Sequence, residues 1–434
     1  MAHAGQGMVH DGGVSPSRNV GLLLTARAVS NLLSTVFNFA QGLYVMDQTG
    51  SAQAFSAVLV AFIVPRALLS GVAGVVVDRF DRRWLLIGTD VVAGVAVFAA
   101  WALFQVMPGQ VPLLVGLAAV LGMIQALFFI SLQASIPDLV GPEQVMRANG
   151  LLQAVNSATR ILGPVLGAVG YRYLSLSGLF VLNGLSFLVA AGLELLLRPT
   201  HAPIQAREST SMVSAAREAW GFLTGHSELR VLLVLALVLQ STLDPMLSLV
   251  LPFLAYKVLG LEAGHLSLIL SCAAAGAVLA GMSVSWRGLG AKLLPRFALL
   301  VLGQALLIGG LALPALWGRE QVGTWGVVGL LLVLQVAVRV VNTLQNVPLY
   351  SHFLVHVPQE LRGRVMGIFQ SAMLLVVPGS MWLAGEVLER VSWPLIPLGA
   401  CGVMAGVALV AAVHPGLRSL RAPFNNARQA SAGG

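Results

Sequence analysis

A chain of 434 residues that is 57% hydrophobic and only 10% charged, with a mean hydropathy of +0.86, has too little polar surface to cover a water-soluble globule. It reads as an integral membrane protein. The net charge of +8 is scattered over the segments between apolar runs, which argues against a nucleic-acid footprint. With Lys257 and Lys292 as its lysines, the chain has no Gly-Lys-Ser/Thr phosphate loop, and it carries neither HExxH nor GxSxG, so a primary pump and a membrane enzyme are both excluded, with no cofactor or metal expected.

Apolar runs near the ~20 residues that span a bilayer recur at 20–45, 54–77, 84–107, 112–135, 148–171, 177–197, 229–257, 263–285, 293–317, 324–349, 365–388 and 393–413. Their length and continuity predict helices rather than barrel strands. The fold class expected is therefore an all-α membrane protein of twelve transmembrane helices in two six-helix bundles. The division is a disordered tail at 1–19, a first bundle at 20–198, a linker at 199–228, a second bundle at 229–414 and a tail at 415–434. Within the linker, SMVSAAREAWGFLTGH has the spacing of a short interfacial amphipathic helix. With the N-terminus inside, most Arg and Lys fall in cytoplasmic segments, and only Arg172, Lys257, Arg319 and Arg390 fall opposite, which predicts both termini in the cytoplasm of a cell (inner or plasma) membrane protein. Cys272 and Cys401 lie in apolar runs and imply no disulfide framework.

Polar residues inside these runs follow helical spacing. Span 1 places Arg27, Asn31, Ser34, Asn38 and Gln41 at steps of 4, 3, 4 and 3, hence on one face. Span 4 offers Gln125 and Gln133, span 7 Gln240, Asp244 and Ser248, and span 10 Gln335, Arg339, Asn342 and Asn346. Such faces must meet protein or water, because hydrocarbon satisfies none of their hydrogen bonds. They are expected to line a substrate cavity; the alternative is hydrogen-bond glue between helices. Asp244 lies fourteen residues from Arg230 and Arg339 thirteen from His352, about 21 and 20 Å from the same face by helical rise. Burial favours the neutral form of a carboxylate and a nearby arginine the charged form, so a small movement of Arg339 would load or release a proton on Asp244. A static ion pair shaping the kink at Pro245 is the competing reading. Arg66, beside Pro65 in span 2, has no evident partner and serves equally as an anion site or a structural cation. His352 and His356 stand four apart and read as an ordinary interfacial pair rather than a metal site.

Between spans 2 and 3 the run GVVVDRFDRR at 74–83 concentrates charge at a membrane face, where it joins two helices by a short loop. It resembles the loop between the second and third helices of the major facilitator superfamily, with Gly74, Asp78, Arg79, Arg82 and Arg83 matching and Asp81 standing where the pattern has Gly. The resemblance implies that these residues gate the cytoplasmic side, that helices 1, 4, 7 and 10 line a central cavity, and that the two bundles are pseudo-symmetric. An internal match offset by 217 residues, RANGLLQA against RVMGIFQS, agrees with such a repeat. In span 5, RILGPVLG, with Arg160, Gly163, Pro164 and Gly167, resembles the Gly-Pro motif of drug and proton antiporters at the interface between halves; a simple packing kink is the alternative. Together with VPQELRGRVMG at 357–367, these segments are most similar to the enterobactin-exporter and macrolide-efflux branch.

The resulting expectation is a secondary active transporter working by alternating access as a monomer. Its partners would be protons, the lipid bilayer and an exported drug-like or siderophore-like small molecule. An importer or lipid-handling carrier of the same fold is the runner-up, and a non-transporting membrane receptor is the reading from a different class.

Overall fold

The computed structural model of the protein describes residues 16–140, 144–198, 212–287, 293–355 and 357–417; the outer parts of both tails, the first part of the linker and His356 lie outside them. In chain order the long helices are α1 (Pro16–Thr49), α2 (Ala52–Arg79), α3 (Arg82–Val106), α4 (Val111–Val140), α5 (Val145–Glu194), α6 (Met212–Gly225), α7 (Ser227–Val258), α8 (Ala263–Arg287), α9 (Phe297–Gly309), α10 (Pro314–Val355), α11 (Gln359–Arg390) and α12 (Leu395–Val413). Eleven helical runs among the described residues are long and apolar enough to cross a membrane. One of them, α5, has 50 residues, about 75 Å at helical rise and more than twice the hydrocarbon thickness. It breaks at Ser175, whose φ of 56° and ψ of 174° leave the helical region. Its two limbs lie side by side along α1: Asn31 bonds Asn156 and Thr159 of the first limb, and Ser34, one turn on, bonds Asn183 of the second. Counting the limbs separately gives the twelve spans expected.

The helix pairing repeats between halves. In the first, α1 packs on α5, α2 on α4, and α3 on the second limb of α5. In the second, α7 packs on α11, α8 on α10, and α9 on α12. The halves meet through α2 against α11 and α5 against α8. Large apolar side chains such as Val92, Val95, Leu103, Leu306, Leu383 and Val413 stand exposed, as a lipid-facing surface requires.

Small residues set the closest approaches. A Cβ on Gly122 of α4 would lie 2.2 Å from the backbone oxygen of Phe62 on α2, and backbone cannot swing aside as a side chain can. Gly122→Ala is therefore expected to force the two helices apart and destabilise the protein by about 1–3 kcal/mol, read as a lower thermal midpoint in detergent. Gly116→Ala on the same helix, where a Cβ meets nothing within 4 Å, should leave the midpoint unchanged.

Candidate functional site

The stripe on α1 opens onto a cavity of about 540 Å³ inside the first half. Arg27, Asn31, Ser34 and Asn38 line it, with Arg66 from α2, Asp90 from α3, Gln125 and Gln133 from α4, Gln153, Asn156 and Arg160 from α5, and Asn183 from the second limb. The α1 amide at Asn31 donates to Asn156 Oδ1 (2.9 Å) and to Thr159 Oγ1 (3.0 Å), which fixes the wall while Asn38 stays exposed to the space. Gln41 is not part of this lining. It is 3% exposed, and its Nε2 donates to the Leu114 carbonyl of α4 at 3.2 Å, so it ties α1 to α4 away from the cavity.

Two buried carboxylates that belong to no polar stripe accompany this wall, Asp90 within the lining and Glu194 outside it. Asp90 and Glu194 are 2% and 0% exposed, and both interact electrostatically with Arg27 and with each other. Arg27 in turn stacks over the Phe128 ring at 4.2 Å. Among the described residues, Asp90 Oδ2 and both oxygens of Glu194 have no hydrogen-bond partner. The signal in the sequence was a lone acid within each apolar run, LLIGTDVVAGV and VAAGLELLLR, because an ionisable side chain within a span is rare without a reason.

In the second half the polar residues divide. Gln240, Asn342 and Asn346 line a small pocket of about 30 Å³ closed by Leu239, Tyr350 and Phe369. Gln335 and Arg339 face a larger cavity of about 610 Å³ between the halves, shared with Gln153, Arg160 and Pro164 of α5 and with α8. Asp244 is half-buried one turn beyond Gln240, whose side chain hydrogen-bonds it, and it interacts electrostatically with Arg339. Ser248 is half-buried on the π-helical turn Met246–Val250 that follows Pro245 and does not line these cavities. That turn has a simple origin: proline lacks the N–H and crowds the preceding turn, and the helix widens to recover its hydrogen bonds.

The α5 motif presents two faces. A Cβ on Gly163 would meet Thr35 Cγ2 at 2.4 Å, and one on Gly167 would meet Phe39 and the Val36 carbonyl at 2.8 and 3.0 Å; both glycines let α5 lie against α1. Arg160 and Pro164 instead face the space between the halves. At the α2–α3 turn, Asp81 caps α3 by accepting from the N–H groups of Arg83 (2.8 Å) and Trp84 (3.3 Å). Its φ of −61° needs no glycine, which explains how Asp replaces Gly in the loop. Arg82 pairs with Asp138 at the end of α4 (2.8 Å), and Arg83 donates to the Leu195 carbonyl after α5. Arg79 is exposed and Gly74 has open space around it; the side chain of Asp78 lies outside the described residues.

Contacts between the halves concentrate at the face opposite this turn. There Asp47, near the end of α1, accepts from Tyr171 Oη, Tyr256 Oη and Lys257 Nζ, each at 2.9 Å. Glu389, near the end of α11, accepts from Ser51 Oγ and from the Gln53 N–H. One apolar cluster runs through both halves behind this clasp, including Phe37, Phe55 and Phe180 with Leu247, Leu251 and Val301. At the arginine-rich face it gives way to two separate clusters. Leu86, Phe128 and Ile136 belong to one in the first half, and Leu223, Val357 and Phe369 to another that joins α6 to the second half.

Comparison with known proteins agrees with this architecture. The family description "Major Facilitator Superfamily" matches residues 23–377. Macrolide efflux protein A of Streptococcus pyogenes is 24% identical over 375 residues, covering 84% of this chain and 88% of that protein. Multidrug efflux pump Tap of Mycobacterium bovis (strain BCG / Pasteur 1173P2) is 26% identical over 398 residues, covering 87% and 88%. The crystal structure of the nucleoside transporter NupG shares the fold with a TM-score of 0.73 at 12% identity, covering 93% of this chain and 98% of that one. Twelve spans in two six-helix halves around a polar interior, and a family match over most of the chain, make this protein a member of the major facilitator superfamily.

Proposed function

We propose that the protein is a proton-coupled exporter that works by alternating access on a drug-like or siderophore-like small molecule. It sits in the cell membrane as a monomer with both termini in the cytoplasm. The observation that carries this reading is the asymmetry between the two faces: a clasp and a continuous apolar core close one, while the core divides into two at the other, around polar cavities. Two rigid bundles packed along one edge can rock about it, and a substrate held between them then meets each side in turn. The positive-inside pattern assigns the arginine-rich face to the cytoplasm, so the conformation described is open inward. Asp244 carries the exchangeable proton, Arg339 modulates it, and Arg, which holds its own proton too firmly to exchange it, takes no proton itself. The Arg82–Asp138 pair and the rest of the α2–α3 turn brace the cytoplasmic end of the first half, where the gate acts.

Export is favoured over import by the similarity to the macrolide efflux protein and the multidrug efflux pump. Reconstituted proteoliposomes loaded with a substrate dye test the direction. Under an imposed proton gradient, dye moving against the proton flow supports antiport, and dye moving with it identifies an importer and overturns the export reading.

A further inference from the structure

Four arginines, Arg27, Arg66, Arg160 and Arg339, sit inside the apolar runs, and among the described residues two of them have carboxylates nearby. Arg27 is opposed by Asp90 and Glu194, and Arg339 by Asp244. Arg66 and Arg160 form no ion pair with any described carboxylate: the contact Arg66 makes is with the Phe129 ring, 5.8 Å from its guanidinium carbon. Arg160 is exposed and faces Arg339, a like charge, across the cavity between the halves. Both unpaired arginines line the 540 Å³ cavity of the first half. They also share a depth, since Arg66 precedes Arg79 by thirteen residues and Arg160 follows Arg147 by thirteen, each about 20 Å at helical rise. A guanidinium at that depth is costly without a counter-charge and is held where it meets an anion or water. Its fork of donors matches the oxygens of a carboxylate or phosphate. Phe62, Phe128 and Phe129 supply apolar surface beside the two cations.

We propose that Arg66 and Arg160 form an anion site, and that the transported compound is an amphiphile with an apolar or aromatic body and at least one oxyanion. This rests on the reading of the cavity as the substrate site and narrows it to a charge class. The same chemistry is offered by a lipid phosphate, so the two sources are separated by experiment.

Equilibrium binding of two dyes that share a xanthene core, fluorescein as the anion and rhodamine 6G as the cation, is measured by anisotropy on the full chain in phosphatidylcholine nanodiscs. The wild type is expected to bind fluorescein more tightly. Arg66→Gln and Arg160→Gln should each weaken fluorescein by about tenfold and bind rhodamine 6G no more weakly than the wild type, which is the control for folding, and Arg66→Lys and Arg160→Lys should recover the part of the loss that charge alone supplies. Repeating the titration with phosphatidylglycerol nanodiscs assigns the source: competition identifies a lipid headgroup at the site, and insensitivity a soluble compound. The proposal is overturned if the wild type shows no saturable fluorescein binding or prefers rhodamine 6G, a result that needs no variant, or if both Gln variants bind fluorescein as the wild type does. Binding needs no gradient. Loss of the anion preference therefore strikes this assignment alone, whereas absent flux with the preference intact strikes the exporter reading alone.

Discussion

Asp244→Asn is expected to abolish gradient-driven transport while leaving substrate binding within about threefold of wild type, a difference of about 0.6 kcal/mol. Asn keeps the shape of the side chain and a partner for Gln240, but it cannot carry a proton. The environment concentrates that consequence in one group, because Asp244 is half-buried beside Arg339 on α10. The helix widens immediately after it at Pro245, so a turn that already departs from regular bonding adjoins the proposed proton carrier. One elementary charge moved across 100 mV supplies about 2.3 kcal/mol, which sustains a concentration ratio of roughly fiftyfold. The variant should let that ratio fall to about one while substrate exchange without a gradient continues. Flux assays in proteoliposomes, with binding measured on the same preparation, read both halves of the expectation. An Asn variant that still concentrates substrate would remove Asp244 from the coupling mechanism.

Removing the clasp at the opposite face is the second large effect. Asp47 gathers three donors from two other helices, and Lys257 and Asp47 keep 26% and 33% side-chain exposure, so the group is screened and its energy is discounted for solvent. Together with the Glu389 contacts to Ser51 and Gln53, the clasp is worth about 1–2 kcal/mol to the closed state. Asp47→Ala combined with Glu389→Ala is therefore expected to raise the population open at this face by about five- to thirtyfold. Spin labels at Thr49→Cys and Val258→Cys, in a background of Cys272→Ala and Cys401→Ala, report it as a longer distance component by electron–electron resonance. A distribution identical to that of the intact clasp would show that packing alone holds the face shut.

Much of this architecture is legible in the sequence because the bilayer imposes one length and one polarity on every span. The helices of both halves follow from runs of about 20 apolar residues, and even the break at Ser175 within α5 falls between two such runs, 148–171 and 177–197. Periodicity also brings Arg27, Asn31, Ser34 and Asn38 to a common cavity wall. It loses Gln41 for a geometric reason. Fourteen residues of α-helix fall short of four turns by about 40°, so the end of the stripe rotates toward α4 and the Leu114 carbonyl. Asp90 and Glu194 escape the same method because a stripe is read from several strongly polar residues at helical steps, and each of these two is the lone acid of its span. Pairings such as Asn31 with Asn156, or Asp47 with Lys257, depend on which helices become neighbours, and local spacing holds no information about that. The division of the apolar core at one face is likewise a property of packing between elements that no single run displays.

The most direct test of the alternating vestibule uses Asn38, which lines the first-half cavity and faces open space. Asn38→Cys in the Cys272→Ala, Cys401→Ala background is exposed to a membrane-impermeant maleimide applied to either side of oriented proteoliposomes. The account predicts labelling from the arginine-rich face at rest and a shift toward the opposite face when substrate and a proton gradient are supplied together. Labelling from neither face, at the rate of a lipid-facing Val92→Cys control, would contradict it.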